Sequence, residues 1–171
     1  MPTSDSTSTE LRWLVCHTKP RCEKKFAGLL HAGGLEHYLP LMESIRNYGP
    51  GGKKRYLKPL FPGYVFARVS ISNKNLLYEQ QLIVRTLAVE NEPIFLRQIE
   101  QVKQLLVSGV ELTLKPLFTK GRAVRVTSGP LWGVEGIVRE LADVSEILIE
   151  VDVLQQGLLV KLPLSHLEVL P

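Results

Sequence analysis

A chain of 171 residues holds one ordinary domain or two small ones, and 44% hydrophobic with 22% charged residues is a normal globular composition. Lysine and arginine outnumber the acids by 21 to 17, a net charge of +4 that permits a polyanionic partner without requiring one. Cys16 and Cys22 lack CxxC spacing and a second Cys/His pair, which argues against zinc. Their spacing does not exclude one disulfide. With Cys16 in an expected strand and Cys22 in an expected helix, buried free thiols of a reducing compartment are the expectation. Residues 1–10 are rich in Ser and Thr, without the basic start and apolar centre of a secretion signal, and no later apolar run is long enough for a bilayer. These features predict a cytoplasmic protein with a disordered leader and no membrane partner.

Arg12 to His17 reads as a short strand, and Thr18-Lys19-Pro20 as the cap of a helix whose stripe is Cys22, Phe26, Leu29 and Leu30, ended by Gly33-Gly34. Glu36 to Ile45 is a second strand, with Pro40 marking an edge or bulge. Asn47 to Arg55 combines turn formers with Lys53, Lys54 and Arg55, the mark of a basic hairpin tip. Next comes Leu57-Lys58-Pro59-Leu60-Phe61-Pro62-Gly63-Tyr64-Val65-Phe66-Ala67-Arg68-Val69, whose prolines deny the approach segment its ladder donors. Pairing is therefore predicted to begin near Tyr64 in a central strand, with Phe61 at a rigid corner. Spacing alone favours ordinary core for Phe61, Tyr64 and Phe66. A brief helix is expected after Ser72-Asn73-Lys74-Asn75, a strand over Ile83 to Val89, and a helix with Ile99, Val102, Leu105 and Leu106 on one face, stopping near Gly109. The order βαββαβα predicts an α+β sandwich close to the ferredoxin-like arrangement over residues 11–106.

Residues 107–118 lose periodicity and read as a linker. Over 119–171, short β-rich runs at Ala123–Val126, Gly136–Arg139, Ile147–Val153 and Gly157–Leu162 suit a small SH3-like barrel. Gly121 to Val138 contains a strand, a tight turn where Gly129 takes positive φ beside Pro130, and Gly136 at a close strand approach. This stretch resembles a KOW motif.

The string Pro59-Leu60-Phe61-Pro62-Gly63-Tyr64, with Trp13-Leu14-Val15 before it and the KOW-like Gly-Pro-Leu turn after it, resembles the NusG family of transcription elongation and antitermination factors. The resemblance implies binding to RNA polymerase at the clamp helices of its largest subunit, with His17, Phe61, Tyr64 and Phe66 as contacts. A rigid apolar groove with aromatic anchors is what an amphipathic helix pair requires. It also implies that the hairpin cations Arg46, Lys53, Lys54, Arg55 and Lys58 lie near nucleic-acid backbone, although a charge run often does no more than solvate a face. In housekeeping members a Phe-Gly-Arg stretch of the last hairpin grips Rho or a ribosomal protein. Here the matching residues are Leu154-Gln155-Gln156, so the implied partner surface at Leu154 and Gln155 lacks the aromatic anchor and the charge. That departure points to a specialised paralogue, acting at selected operons as a monomer. Members that refold this domain into a helical hairpin are a weak guide, because Pro163 and the β-branched Ile147, Ile149, Val151 and Val153 favour strands.

The sequence has no GxSxG, no Walker-type loop and no His paired with carboxylates at ligand spacing; His31, His37 and His166 read as single residues. No enzyme activity, cofactor or metal is expected. The alternative to the transcription reading is a KOW-type RNA-binding protein, with Arg122, Arg125, Trp132 and Arg139 facing structured RNA or the ribosome.

Overall fold

The computed structural model describes residues 10–116, 121–138 and 144–171, so the leader expected over 1–10 lies outside it apart from Glu10. The fold is α+β, and the chain divides into two compact units between Glu90 and Asn91.

In the first unit, strands β1 (Leu11–Thr18), β2 (Glu36–Tyr38), β5 (Tyr64–Ser70) and β6 (Ile83–Ala88) form one antiparallel sheet in the order β2-β5-β1-β6. β5 is interior and begins at Tyr64, where the proline pattern first allows a ladder, with His17 opposite Tyr64 and Val15 opposite Phe66. Alternation gives the sheet two chemically different faces. Cys16 of β1 and Val65, Ala67 and Val69 of β5 form a core with Phe26, Ala27 and Leu30 of helix α1 (Glu23–Ala32). The other face carries Trp13, Val15 and His17 of β1 and Tyr64, Phe66 and Arg68 of β5.

Several local expectations are displaced. α1 starts at Glu23 and not at the Thr18-Lys19-Pro20 cap, because Arg21 takes φ +62° and the Cys22 N–H closes a turn on the Lys19 carbonyl. Ala27 takes the buried place on the stripe, and Leu29 is exposed. The single strand expected over Glu36 to Ile45 breaks at Pro40 into β2 and β3 (Leu41–Asn47). β3 pairs with β4 (Lys53–Pro59) as a separate two-stranded sheet, joined by a 3-10 turn at Gly49–Gly51. The brief helix near Ser72 is a 3-10 segment, Ile71–Tyr78.

The second unit opens with helix α2 (Glu92–Ser108), capped by the Asn91 side chain accepting from the Ile94 N–H at 3.1 Å and ended by Gly109 at φ +69°. Strands β7 (Thr113–Pro116), β8 (Arg122–Val126), β9 (Glu135–Val138), β10 (Val144–Val151), β11 (Gln156–Pro163) and β12 (Leu167–Val169) form an antiparallel sheet in the order β12-β8-β9-β10-β11-β7. Val124, Leu131, Val138, Ile147, Ile149 and Leu158 are buried in this unit. Thr113–Pro116, inside the expected linker, pairs with β11 and is an edge strand.

α2 meets the β domain through three glutamines spaced one helical turn apart. Gln98 accepts from the Asp152 N–H at 3.1 Å. Gln101 accepts from the Glu135 N–H at 2.8 Å and donates to the Glu135 carbonyl at 3.3 Å. Gln104 donates to the carbonyls of Pro130 and Trp132, at 3.2 and 3.0 Å. Residues at i, i+3 and i+6 share a helix face, so one face of α2 satisfies main-chain groups of the β domain.

Candidate functional site

The corner before β5 is fixed on both sides. Gly63 takes φ +89°, a conformation open to glycine and strained for other residues. Its N–H donates to Oε1 of Glu23 at 2.8 Å, and its carbonyl accepts from the Thr18 N–H at 2.8 Å. The Tyr64 N–H donates back to the Phe61 carbonyl at 3.2 Å, which tightens the turn. Beside this corner the ring of His17 stacks on Tyr64, with centroids 5.1 Å apart and planes inclined by 20°. One register step along, Phe66 stacks on Tyr38 of β2 at 6.5 Å. Among the described residues, buried Nδ1 of His17 and Oγ1 of Thr18 have no hydrogen-bond partner.

The four residues singled out for a partner therefore divide. His17 and Tyr64 are half-buried, whereas Phe61 and Phe66 are 1% and 0% exposed. Spacing alone favoured core for all three aromatics, which holds for Phe61 and Phe66 and not for the half-buried Tyr64. Glu23 was missed altogether. Its signal was an acidic residue on the apolar side of the helical stripe, where only a specific acceptor role makes burial tolerable.

The hairpin cations also divide, by the register of β3 and β4. Arg46 lies opposite Lys54 and Met42 opposite Lys58, with Ser44 and Tyr56 between them on the same face. Lys53 and Arg55 fall on the reverse face with Ile45 and Leu57. On the first face the Arg46 guanidinium lies 4.9 Å from the Tyr56 ring centroid and donates to its hydroxyl at 3.3 Å, and Lys54 Nζ lies 5.7 Å from the Tyr48 ring. Hydrogen bonding to Ser44, and then to Arg46, pulls the Tyr56 phenol below its ordinary range. On the reverse face Arg55 pairs loosely with Glu43 at 3.7 Å. Lys24 of α1 donates to the Leu57 carbonyl, which ties β4 to α1, and the Leu60 N–H donates to the Pro40 carbonyl, which closes the hairpin base.

In the β domain, Gly129 adopts φ +80° and a Cβ at Gly136 would lie 2.6 Å from the Leu148 carbonyl oxygen, the two demands read from the motif. Leu131 is buried, and Trp132 beside it is 69% exposed. Leu154 is buried, which leaves Gln155 as the exposed member of the expected partner pair. Arg125 is committed to Glu135 at 2.7 Å, and Arg139 lies outside the described residues.

Among the described residues no group of three or more His, Cys, Asp or Glu is placed to hold a metal ion, and no helix is long and apolar enough to cross a membrane. His31 and His37 are not isolated, since their rings meet edge to face at 6.1 Å. Both cysteines are free, and burial pushes the Cys16 thiol up to about 12.

A family model described as transcription termination factor NusG matches residues 11–106, more than half of the chain. A solved structure on the domain interaction in Thermotoga maritima NusG is 17% identical, with a TM-score of 0.52 over 95% of this chain and 98% of that one, which is a likeness of fold. A structure of the MjSpt4:Spt5 complex is 15% identical over 92% of this chain and 96% of that one, with a TM-score of 0.32, too low to carry an argument. No curated protein matches the chain. The matched segment contains the central strand, the Gly63 corner and the basic hairpin, and on that match this chain belongs to the NusG family of transcription factors.

Proposed function

We propose that this chain is an elongation and antitermination factor that binds RNA polymerase at the clamp helices of its largest subunit. The observation that carries this reading is the stacked His17–Tyr64 pair, partly open at the edge of a buried aromatic face and set on a corner clamped from two elements. A helix pair docking there gains aromatic area at little entropic cost, because the rings are already ordered. Phe61, in the turn before the pair, and Phe66, on the same strand face as Tyr64, are buried. The factor works by differential binding: holding the clamp closed opposes the opening that pausing requires.

Within this reading the hairpin faces nucleic-acid backbone. Arg46 and Lys54 stand directly opposite each other, a like-charge pair that costs stability in the free protein and is relieved by phosphate. The β domain recruits a second partner, the ribosome or Rho, and the missing aromatic anchor at Leu154 and Gln155 favours a specialised paralogue over a Rho-recruiting housekeeping factor. A second reading, RNA binding by the β domain itself, draws on the exposed Trp132 with Arg122.

Capture of core RNA polymerase by the full chain tests the first reading, beside Tyr64→Ala shown by circular dichroism to stay folded. Loss of capture on substitution is the expected result. Undiminished capture by Tyr64→Ala removes the corner from the interface. No capture by either protein, together with salt-sensitive RNA binding that Trp132→Ala weakens, replaces this reading with the second.

A further inference from the structure

Glu23 is buried at 7% exposure in the first turn of α1, and its carboxylate reaches a main-chain N–H 40 residues away in sequence. An acidic residue at this helical position has a bland use, which is to complement the local N–H groups and the helix dipole. Here Oε1 instead accepts the Gly63 N–H at 2.8 Å, a charge-assisted bond to the one residue on which the corner turns. A Cβ built on Gly63 would lie 3.5 Å from Cδ2 and Nε2 of His17, so the imidazole stands at the side of Gly63 that a side chain would occupy. His17 in turn stacks on Tyr64, the next residue of the corner. The Thr18 N–H holds the Gly63 carbonyl from β1. One residue is thus gripped from α1 through its N–H and from β1 through its carbonyl, and the two rings of the candidate interface stand beside it.

The geometry points to Glu23 as a positioning residue for the polymerase-binding surface, one that sets the Gly63 corner, and through it His17 and Tyr64, without itself touching the partner. This assignment rests on the reading of that corner as the polymerase contact. It separates reach from charge. Glutamine keeps a carbonyl acceptor at the same distance from the backbone and loses the charge, whereas aspartate keeps the charge and falls one methylene short of Gly63.

The test measures the affinity of the full chain for core RNA polymerase in wild type, Glu23→Gln, Glu23→Asp and Tyr64→Ala, with amide hydrogen exchange at Gly63 followed by NMR in the free proteins. Glu23→Gln is expected to bind within about twofold of wild type and to keep Gly63 protected. Glu23→Asp is expected to lose about tenfold in affinity and to expose the Gly63 amide, the effect of giving up preorganisation without removing a contact. Aspartate binding as well as wild type while glutamine fails overturns the proposal, since charge and not reach would then matter. So does Glu23→Asp with an exposed Gly63 amide and wild-type affinity, provided Tyr64→Ala binds weakly. If Tyr64→Ala binds as wild type, the polymerase reading of the corner fails and the positioning role falls with it, whatever the exchange result. The Asp and Gln variants each retain a hydrogen-bonding acceptor, so a variant too unstable to fold is not the expected obstacle, and circular dichroism on both checks it.

Discussion

Gln155 sits at φ +53° directly after the 3-10 turn Asp152–Leu154, where a side chain strains the backbone. Gln155→Gly is expected to raise the stability of the second unit by up to about 1 kcal/mol, read from the urea midpoint. Gly136 is the opposite case: an added methyl would meet the Leu148 carbonyl oxygen and the Ile147 side chain, neither free to retreat within paired strands. Gly136→Ala is expected to cost about 1–3 kcal/mol, seen as a lowered thermal midpoint. Cys16 has a folded pKa raised from an ordinary 9.0 to about 12 by burial. The unfolded chain ionises first, so the stability contributed by the neutral thiol is complete below pH 9.0 and is lost as pH rises toward 12. Denaturation midpoints at pH 8 and pH 10.5 should fall further apart in wild type than in Cys16→Ala. These residues were visible in the sequence to unequal degrees. The glycine was legible from the motif and the buried free thiol of Cys16 from its place in an expected strand, whereas the strained glutamine depended on the turn around it.

At the scale of elements, the hairpin is an antiparallel ribbon whose two faces differ more than its charge count implies. If backbone phosphate is read by the face carrying Arg46, Lys54 and Lys58, then Lys54→Ala should reduce the slope of log affinity against log salt by about 1. Lys53→Ala, on the reverse face, should leave that slope unchanged. Equal effects would make the cations a diffuse solvated patch. α2 makes the same point through glutamine. Periodicity finds the stripe Ile99, Val102, Leu105 and Leu106, but Leu106 is only half-buried, Phe95 and Gln98 are buried with the other three, and Gln101 pairs with both the N–H and the carbonyl of Glu135. Gln101→Ala removes the side-chain partner of the Glu135 N–H and carbonyl in a part-buried place and is expected to destabilise the second unit by about 1–2 kcal/mol.

At the scale of the whole molecule, the division between Glu90 and Asn91 puts α2 with the β domain, although the family match runs through α2 to residue 106. We expect a fragment covering residues 91–171 to unfold at higher urea than one covering 119–171, because the shorter piece lacks β7 and all three glutamine contacts. Equal midpoints would return α2 and residues 107–118 to the roles of first-domain helix and linker. By itself, the amino-acid sequence determined the α+β class, the start of the central strand at Tyr64, the tight turn at Gly129 and the close strand approach at Gly136. Proline and glycine act on their own backbone, and alternation reports which side chains share a face. Only the tertiary structure decided that His17 and Tyr64 stay half-open while Phe61 and Phe66 are buried, and that Glu23 reaches Gly63. It also decided which hairpin cations stand together. Those facts depend on what approaches a residue from a distant part of the chain, and local periodicity carries no record of it.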